Sequence, residues 1–240
     1  MAKIITENDA IKAVTKDAYE LKNLSKELMT KAVCLAAVYS NGWTLEFVPI
    51  EQKTEELCYI AVQQNHHAFT YVPENLKTEK ICLAAVQKNE LALKSFPKGI
   101  LTEKFCLKAL KLNYRAFAFI PNKCKTKEMC YFAVKKEGNM LEYVPTDFKN
   151  EELCLIAVKQ NGCSLCFVPK NLRTEELCRI AVTKHIMAFS SVPAEYKTVE
   201  LCRFALKRAS ADSFLKKEVI EGIPKKIINE VIPPEKKANK

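Results

Sequence analysis

Eleven cysteines and three histidines are the side chains in this 240-residue sequence best suited to nucleophilic, redox or metal chemistry. Cys163 and Cys166 form a C-x-x-C pair, and Cys124 stands alone at a turn. The other eight (Cys34, Cys58, Cys82, Cys106, Cys130, Cys154, Cys178 and Cys202) are each 24 residues apart. A structural zinc site gathers four ligands, whereas each period brings one cysteine of this column. Successive helical layers stack roughly 8–10 Å apart, and a disulfide needs Cα atoms within about 7 Å, so neighbours in the column are not expected to pair. They read as reduced, buried, small apolar residues, which suits a reducing cytosol. A redox C-x-x-C sits at a helix N-terminus after a strand, and no strand is expected here. Cys163 and Cys166 are read either as packed or surface thiols or, with a histidine, as a metal or redox site. His66 and His67 fall at a turn, and with His185 they suggest neither a Cys–His nor a Ser–His–Asp arrangement. The expectation is a non-enzyme with no catalytic residue, no cofactor and no metal.

The cysteine column is one thread of a repeat that runs without insertion. Pro49, Pro73, Pro97, Pro121, Pro145, Pro169 and Pro193 recur at the same interval. A fixed period of this length is the signature of a stacked-repeat architecture. Units are assigned at 6–29, 30–53, 54–77, 78–101, 102–125, 126–149, 150–173, 174–197 and 198–221. The first has Ala10 for cysteine and Ser25 for proline, and the last lacks the proline, as capping repeats do. Residues 222–240 are read as a short helix and a basic tail from Pro224 onward. The solenoid thus occupies residues 1–221.

Within a unit, Thr54 is suited to cap a helix N-terminus, and Glu55 and Glu56 lie at the positive end of its dipole. LCYIAV follows, and Gln63-Gln64-Asn65 ends the helix. Asn, or Asn-Gly as in Asn41-Gly42 and Asn161-Gly162, is expected to take the left-handed conformation of a helix C-terminus. A shorter helix follows, as at 68–72, and Pro73 stops it. In 174–197, positions 177, 178, 180, 181 and 182 cover about 200° of the first helix. Such a helix must be sandwiched, with the alanine column from Ala37 to Ala205 where neighbouring backbones come closest. The expected fold is all-α: a right-handed α-solenoid of about nine 24-residue helix-turn-helix repeats with degenerate capping units.

Nearly half of the residues are apolar (48%), enough for a continuous core, and the net charge of +10 permits nucleic acid, anionic membrane or acidic protein as partner. The N-terminal MAKIITENDAIKAV has no apolar run of signal-peptide length, and no stretch approaches the roughly 18 apolar residues of a membrane helix. The expectation is a monomer without a membrane span, in the cytoplasm of its own cell or, after delivery, in a host cytosol.

The run AVKQNGCSLCFVP at Ala157–Pro169, with LCxxAV before it and the LRTEELC restart at Leu172–Cys178, resembles a known family. It is the tandem "LAAVKQNGLALEYV" helical repeat, catalogued as a domain of unknown function. The resemblance covers roughly residues 30–206. Leu110 and Leu206 depart from it in place of Val, and Glu137 and His185 in place of Asn. It implies an all-α repeat protein of a kind frequent in protists, large viruses and host-associated microbes. It implies no reaction and supplies no catalytic residues.

Recognition in repeat proteins is carried where the scaffold leaves identity free. The two residues after each Asn position vary most: Gly42-Trp43, His66-His67, Glu90-Leu91, Tyr114-Arg115, Gly138-Asn139, Gly162-Cys163 and Ile186-Met187. A second column follows each cysteine: Leu35, Tyr59, Leu83, Leu107, Tyr131, Leu155, Arg179 and Arg203. Arginine cannot enter a sealed core without a partner, so this column belongs at the core's edge. It either packs on the second helices or forms a groove for a peptide or amphipathic helix. Lys108, where other units have Ala, Ile or Phe, is expected to snorkel outward.

A third column, Lys53, Lys77, Lys125, Lys149, Arg173 and Lys197, with Leu101 the exception, aligns into a basic ridge able to track phosphates. Nearby glutamates such as Glu55, Glu56, Glu151 and Glu152 partly neutralise it. The reading is a non-catalytic scaffold for protein or peptide partners. Its candidate contacts are Trp43, His66, His67, Tyr114, Arg115 and Met187 at the turns, with Tyr59, Tyr131, Arg179 and Arg203 on the stripe. The alternative is RNA or single-stranded nucleic acid bound along the ridge.

Overall fold

A computed structural model describes residues 6–232, which divide between Lys125 and Thr126 into two compact units. Both are all-α repeat solenoids, with no strand among the described residues. The first holds α1 (Glu7–Lys16), α2 (Lys31–Ser40), α3 (Glu55–Gln64), α4 (Glu79–Lys88) and α5 (Glu103–Leu112). The second holds α6 (Lys127–Lys136), α7 (Glu151–Gln160), α8 (Glu175–Lys184) and α9 (Val199–Arg208), followed by α10 (Ser213–Glu221) and α11 (Ile228–Val231). From α1 to α8, each α-helix leads into a 3₁₀ helix such as His66–Tyr71 and then a three-residue 3₁₀ turn such as Glu74–Leu76.

The second helix of the repeat is therefore 3₁₀ and not α. A 3₁₀ helix rises about 2.0 Å per residue against 1.5 Å in an α-helix. Six residues thus span roughly 12 Å beside roughly 15 Å for the ten-residue α-helix, a closer match than six α residues would give. Each unit is built as two layers: α-helix packs on α-helix, and 3₁₀ helix on 3₁₀ helix.

Local chemistry sets the boundaries. Thr54 Oγ1 accepts from the Leu57 N–H at 3.2 Å, and Asn150 Oδ1 does the same for Leu153 at 2.9 Å. Thr78 is different: its hydroxyl donates to Glu55 at 2.9 Å.

The helix C-termini depart from expectation. No described residue, glycines included, has positive φ. Asn65 is extended (φ −144, ψ 114); its N–H donates to Ala61 O at 2.8 Å and its Oδ1 accepts from the His67 N–H at 3.0 Å. The asparagine thus leaves one helix and caps the next. Its short side chain offers a local acceptor, so no left-handed residue is needed. Glu137 and His185, which replace Asn, make no such cap.

The core comes from both layers. Leu177, Cys178, Ala181 and Val182 of α8 are buried with Ala188, Phe189 and Val192. Ile180 is only half-buried, so the apolar arc is narrower than its sequence reading. All eight alanines from Ala37 to Ala205 are fully buried. After α9 the pattern changes: Asp212 caps two N–H groups of α10, an α-helix where other repeats place 3₁₀. The short helix expected beyond Pro224 is α11; the basic tail at 233–240 lies outside the described residues. No helix among the described residues is long and apolar enough to cross a membrane.

Candidate functional site

The cation column is turned inward. Lys53 Nζ donates to Tyr71 O at 3.0 Å, Lys149 Nζ to Phe167 O at 3.0 Å, and Arg173 Nη1 to Ser191 O at 2.7 Å. Each acceptor is the last residue of the 3₁₀ helix in the following repeat. Lys197 Nζ likewise reaches Gly222 O, at the end of α10, at 3.0 Å. Carbonyls at a helix C-terminus carry partial negative charge and lack partners, so a cation on a long stem satisfies them. Lys77, Lys125 and Lys197 also lie over the rings of Phe69, Phe117 and Phe189 at 5.2, 4.7 and 4.6 Å. Burial pushes the ammonium groups of Lys53, Lys149 and Lys197 below the usual lysine range. The solvated basic ridge is not formed: these residues are half-buried or buried. Lys53, Lys149, Arg173 and Lys197 are struts from one layer to the next, while Lys77 pairs with Glu74 at 2.8 Å and Lys125 Nζ donates to Asn122 at 3.1 Å within their own repeats. Where Leu101 interrupts the column, Cys124 Sγ donates to Leu101 O at 3.1 Å.

Sequence reasoning missed these struts, although one signal was present. Six of seven positions are cationic and the one exception is leucine, a pattern of spatial constraint and not of surface drift. It also missed the work of the turn glycines. A Cβ on Gly42, Gly138 or Gly162 would stand 2.3, 2.5 or 2.2 Å from the carbonyl oxygen of Ala61, Ala157 or Ala181. Glycine is present there because one layer's turn meets the next layer's helix backbone at its alanine.

The turn residues spread along the repeats. Trp43 is half-buried, stacked on His67 at 5.3 Å and 22° between planes, with Tyr71 at 6.3 Å. His66 lies 4.1 Å from His67, and its imidazole pKa is lowered by burial and then by that neighbour. Tyr114 accepts from Arg115 Nε at 3.3 Å. Met187 is half-exposed (49%). Trp43, His66 and His67 thus gather across two neighbouring turns, whereas Tyr114 and Arg115 meet within one.

On the opposite layer the column after cysteine lies at the core's edge. From Leu35 to Leu155 its members are half-buried, and Arg179 and Arg203 are exposed. Tyr59 has Lys80 Nζ 4.2 Å above its ring, and Tyr131 Oη donates to Glu152 at 2.8 Å. Arg203 Nη2 donates to Glu230 O in α11 at 2.6 Å. Lys108 points outward and pairs with Glu79 at 2.6 Å.

The cysteines divide by environment. The repeat column and Cys124 are buried, Cys163 is half-buried and Cys166 is exposed. Burial pushes Cys34, Cys58, Cys154 and Cys178 up to about 11, and Cys82 and Cys106 up to about 12. Such thiols stay protonated near neutrality and are poor nucleophiles. Cys34 and Cys82 donate weakly to Met29 O and Lys77 O, five residues back, at 3.5 and 3.7 Å. Cys163 and Cys166 are also raised, first by burial. Among the described residues no three His, Cys, Asp or Glu side chains gather as a metal site.

The family model described as "Domain of unknown function (DUF4116)" matches residues 54–101, 102–149 and 150–197, more than half of the chain. The chain belongs to this family. Each DUF4116 segment begins at a helix-capping residue, Thr54, Thr102 or Asn150, and spans two 24-residue periods. Among the positions that recur in the DUF4116 segments, the cysteine and alanine are buried, the cation is half-buried or buried, and the cap, Thr78 apart, bonds the first turn of its own helix. No curated protein and no solved structure matches the chain.

Proposed function

We propose that this chain is a non-catalytic repeat scaffold that binds protein or peptide partners through its variable side chains. One observation carries the reading: the recurrent side chains are taken up in the core, in helix capping and in contacts with carbonyls and rings, while variable ones such as Trp43, His67 and Met187 remain at least partly open to solvent. Aromatic, methionine and arginine side chains are the types that anchor interfaces. The absence of enzymatic activity belongs to the same proposal, since burial keeps its column thiols protonated and poor as nucleophiles. Nucleic-acid binding along the ridge loses its support, because the six cations are engaged by carbonyls, rings or, at Lys77, the Glu74 carboxylate. A cytoplasmic location follows from reduced cysteines as part of this reading. The test is affinity capture with wild type beside W43A/Y114A/R115A. Loss of captured polypeptides from the variant is expected; identical capture by both would refute turn-mediated binding.

A further inference from the structure

Between successive α-helices runs a groove whose walls repeat every 24 residues. Four of its compartments are crossed by the chain's own side chains. Between α3 and α4, Lys80 covers Tyr59. Between α4 and α5, Lys108 crosses to Glu79. Between α6 and α7, Tyr131 bonds Asn150 and Glu152. After α9, Arg203 meets α11.

Two consecutive compartments stay open. One, of about 270 Å³ between α7 and α8, is lined by Glu151, Leu155, Leu172, Glu176 and Ile180. The other, of about 180 Å³ between α8 and α9, is lined by Glu175, Arg179, Tyr196, Glu200 and Phe204, each 24 residues beyond its counterpart. The physical reason is substitution in register. Leu155 and Arg179 replace the bridging Tyr131, and Ile180 and Phe204 replace the bridging Lys108.

The closed compartments show what the open ones take. Glu151 and Glu175 occupy the register of Glu79, whose carboxylate receives a lysine ammonium. The four glutamates of the open compartments are exposed, and among the described residues none forms an ion pair, although Arg179 and Lys159 stand on the same walls. A lysine or arginine stem packs on apolar surface while its charge pairs at the rim, and Leu155, Leu172 and Ile180, then Tyr196 and Phe204, supply that surface. Helices about 8–10 Å apart match three residues of an extended polyproline II chain at about 3.1 Å each, a conformation that returns every third side chain to the same face.

We propose that these two compartments form a docking groove for an extended peptide that carries lysine or arginine at every third residue. The proposal rests on the scaffold reading and names a partner class for a surface other than the turns. The test is fluorescence anisotropy of the full-length chain with a fluorescein-labelled peptide of lysines separated by Leu-Ala pairs. A peptide of the same composition with contiguous lysines is the comparison. The spaced peptide is expected to bind at least about tenfold more tightly. E151Q/E175Q is expected to weaken it about tenfold, as two ion pairs would. L155Y, which restores the residue that closes the α6–α7 compartment, is expected to abolish binding with circular dichroism unchanged. W43A/Y114A/R115A is expected to bind the peptide as wild type does, so failure at the groove is distinguishable from failure at the turns. Equal binding of both peptides, or wild-type binding by E151Q/E175Q, overturns the proposal. Absence of peptide binding, with E151Q/E175Q altering sedimentation of the chain alone, assigns the groove to a second copy and likewise overturns it.

Discussion

Substituting Gly162 by alanine isolates the cost of the closest approach between layers. The added carbon would stand 2.2 Å from Ala181 O, 2.9 Å from His185 N and 3.1 Å from the Ala181 carbonyl carbon. All three are backbone atoms at α8, so no side chain can swing aside. Carbon–oxygen contact is comfortable near 3.3 Å or beyond, so the junction must open by about 1 Å. Overpacking of this kind costs about 1–3 kcal/mol. Alanine also restricts the unfolded chain, which returns about 0.4–1 kcal/mol where φ is compatible, and φ at Gly162 is not positive. The net expectation is a loss of roughly 1–2 kcal/mol. Junctions at His66, Glu90, Tyr114 and Ile186 already accommodate a side chain at this register, so the fold survives the change.

Gly99 provides the control. A Cβ there meets nothing within 4 Å and its φ is also not positive. Gly99→Ala should therefore stabilise by about 0.4–1 kcal/mol. At about 2–4 °C per kcal/mol for a chain of this size, thermal melts should move in opposite directions. A Gly162→Ala variant melting at or above wild type would refute the close-approach argument.

Lys149→Met keeps the stem and removes the charge, leaving Phe167 O without its donor; urea melts should show a loss of about 1–2 kcal/mol. Ala157→Leu, at the carbonyl that faces Gly138, should cost about 1–3 kcal/mol in thermal unfolding. The thiols raised by burial bind their proton more tightly folded than unfolded. Their contribution is complete below the free-thiol value of about 8.5 and is lost as pH climbs toward 11, at up to about 1.4 kcal/mol per pH unit for each. Lys53, Lys149 and Lys197, lowered in the fold, act in the opposite direction over that rise. The column thiols outnumber them, so denaturation midpoints should fall between about pH 8 and pH 10. Labelling with a thiol reagent near neutrality should modify Cys166 first and Cys163 more slowly, with the buried cysteines reacting only on unfolding.

The layered architecture was legible because periodic constraint writes itself into columns. Cys58 and its equivalents are buried as their apolar neighbours imply, and at Ala61, Ala157 and Ala181 a neighbouring turn glycine does approach the backbone carbonyl closely. The arginines at 179 and 203 correctly marked the core's edge. The cation column was not legible in the same way. A lysine before a threonine and two glutamates has the local pattern of a solvated face, and only the carbonyl 18 residues later explains Lys53. Asn-Gly misled for a related reason. The pair signals a left-handed turn locally, but here Asn65 and its equivalents cap a 3₁₀ helix while glycine answers to the adjoining layer. The open compartments were invisible until Tyr131 and Lys108 had partners, since an absence at Leu155 has meaning only beside a filled neighbour.

The inward cations give the stack a direction. Through Lys53, Lys149, Arg173 and Lys197 a layer completes the one after it and leans on none behind it, so at these junctions the layers are assembled like shingles and not like coins. Copying an interior period would therefore hand the new layer both a donor and an acceptor. Removing the segment around Gly222 would instead strand the ammonium of Lys197 with no oxygen to meet, and fraying should start from that side.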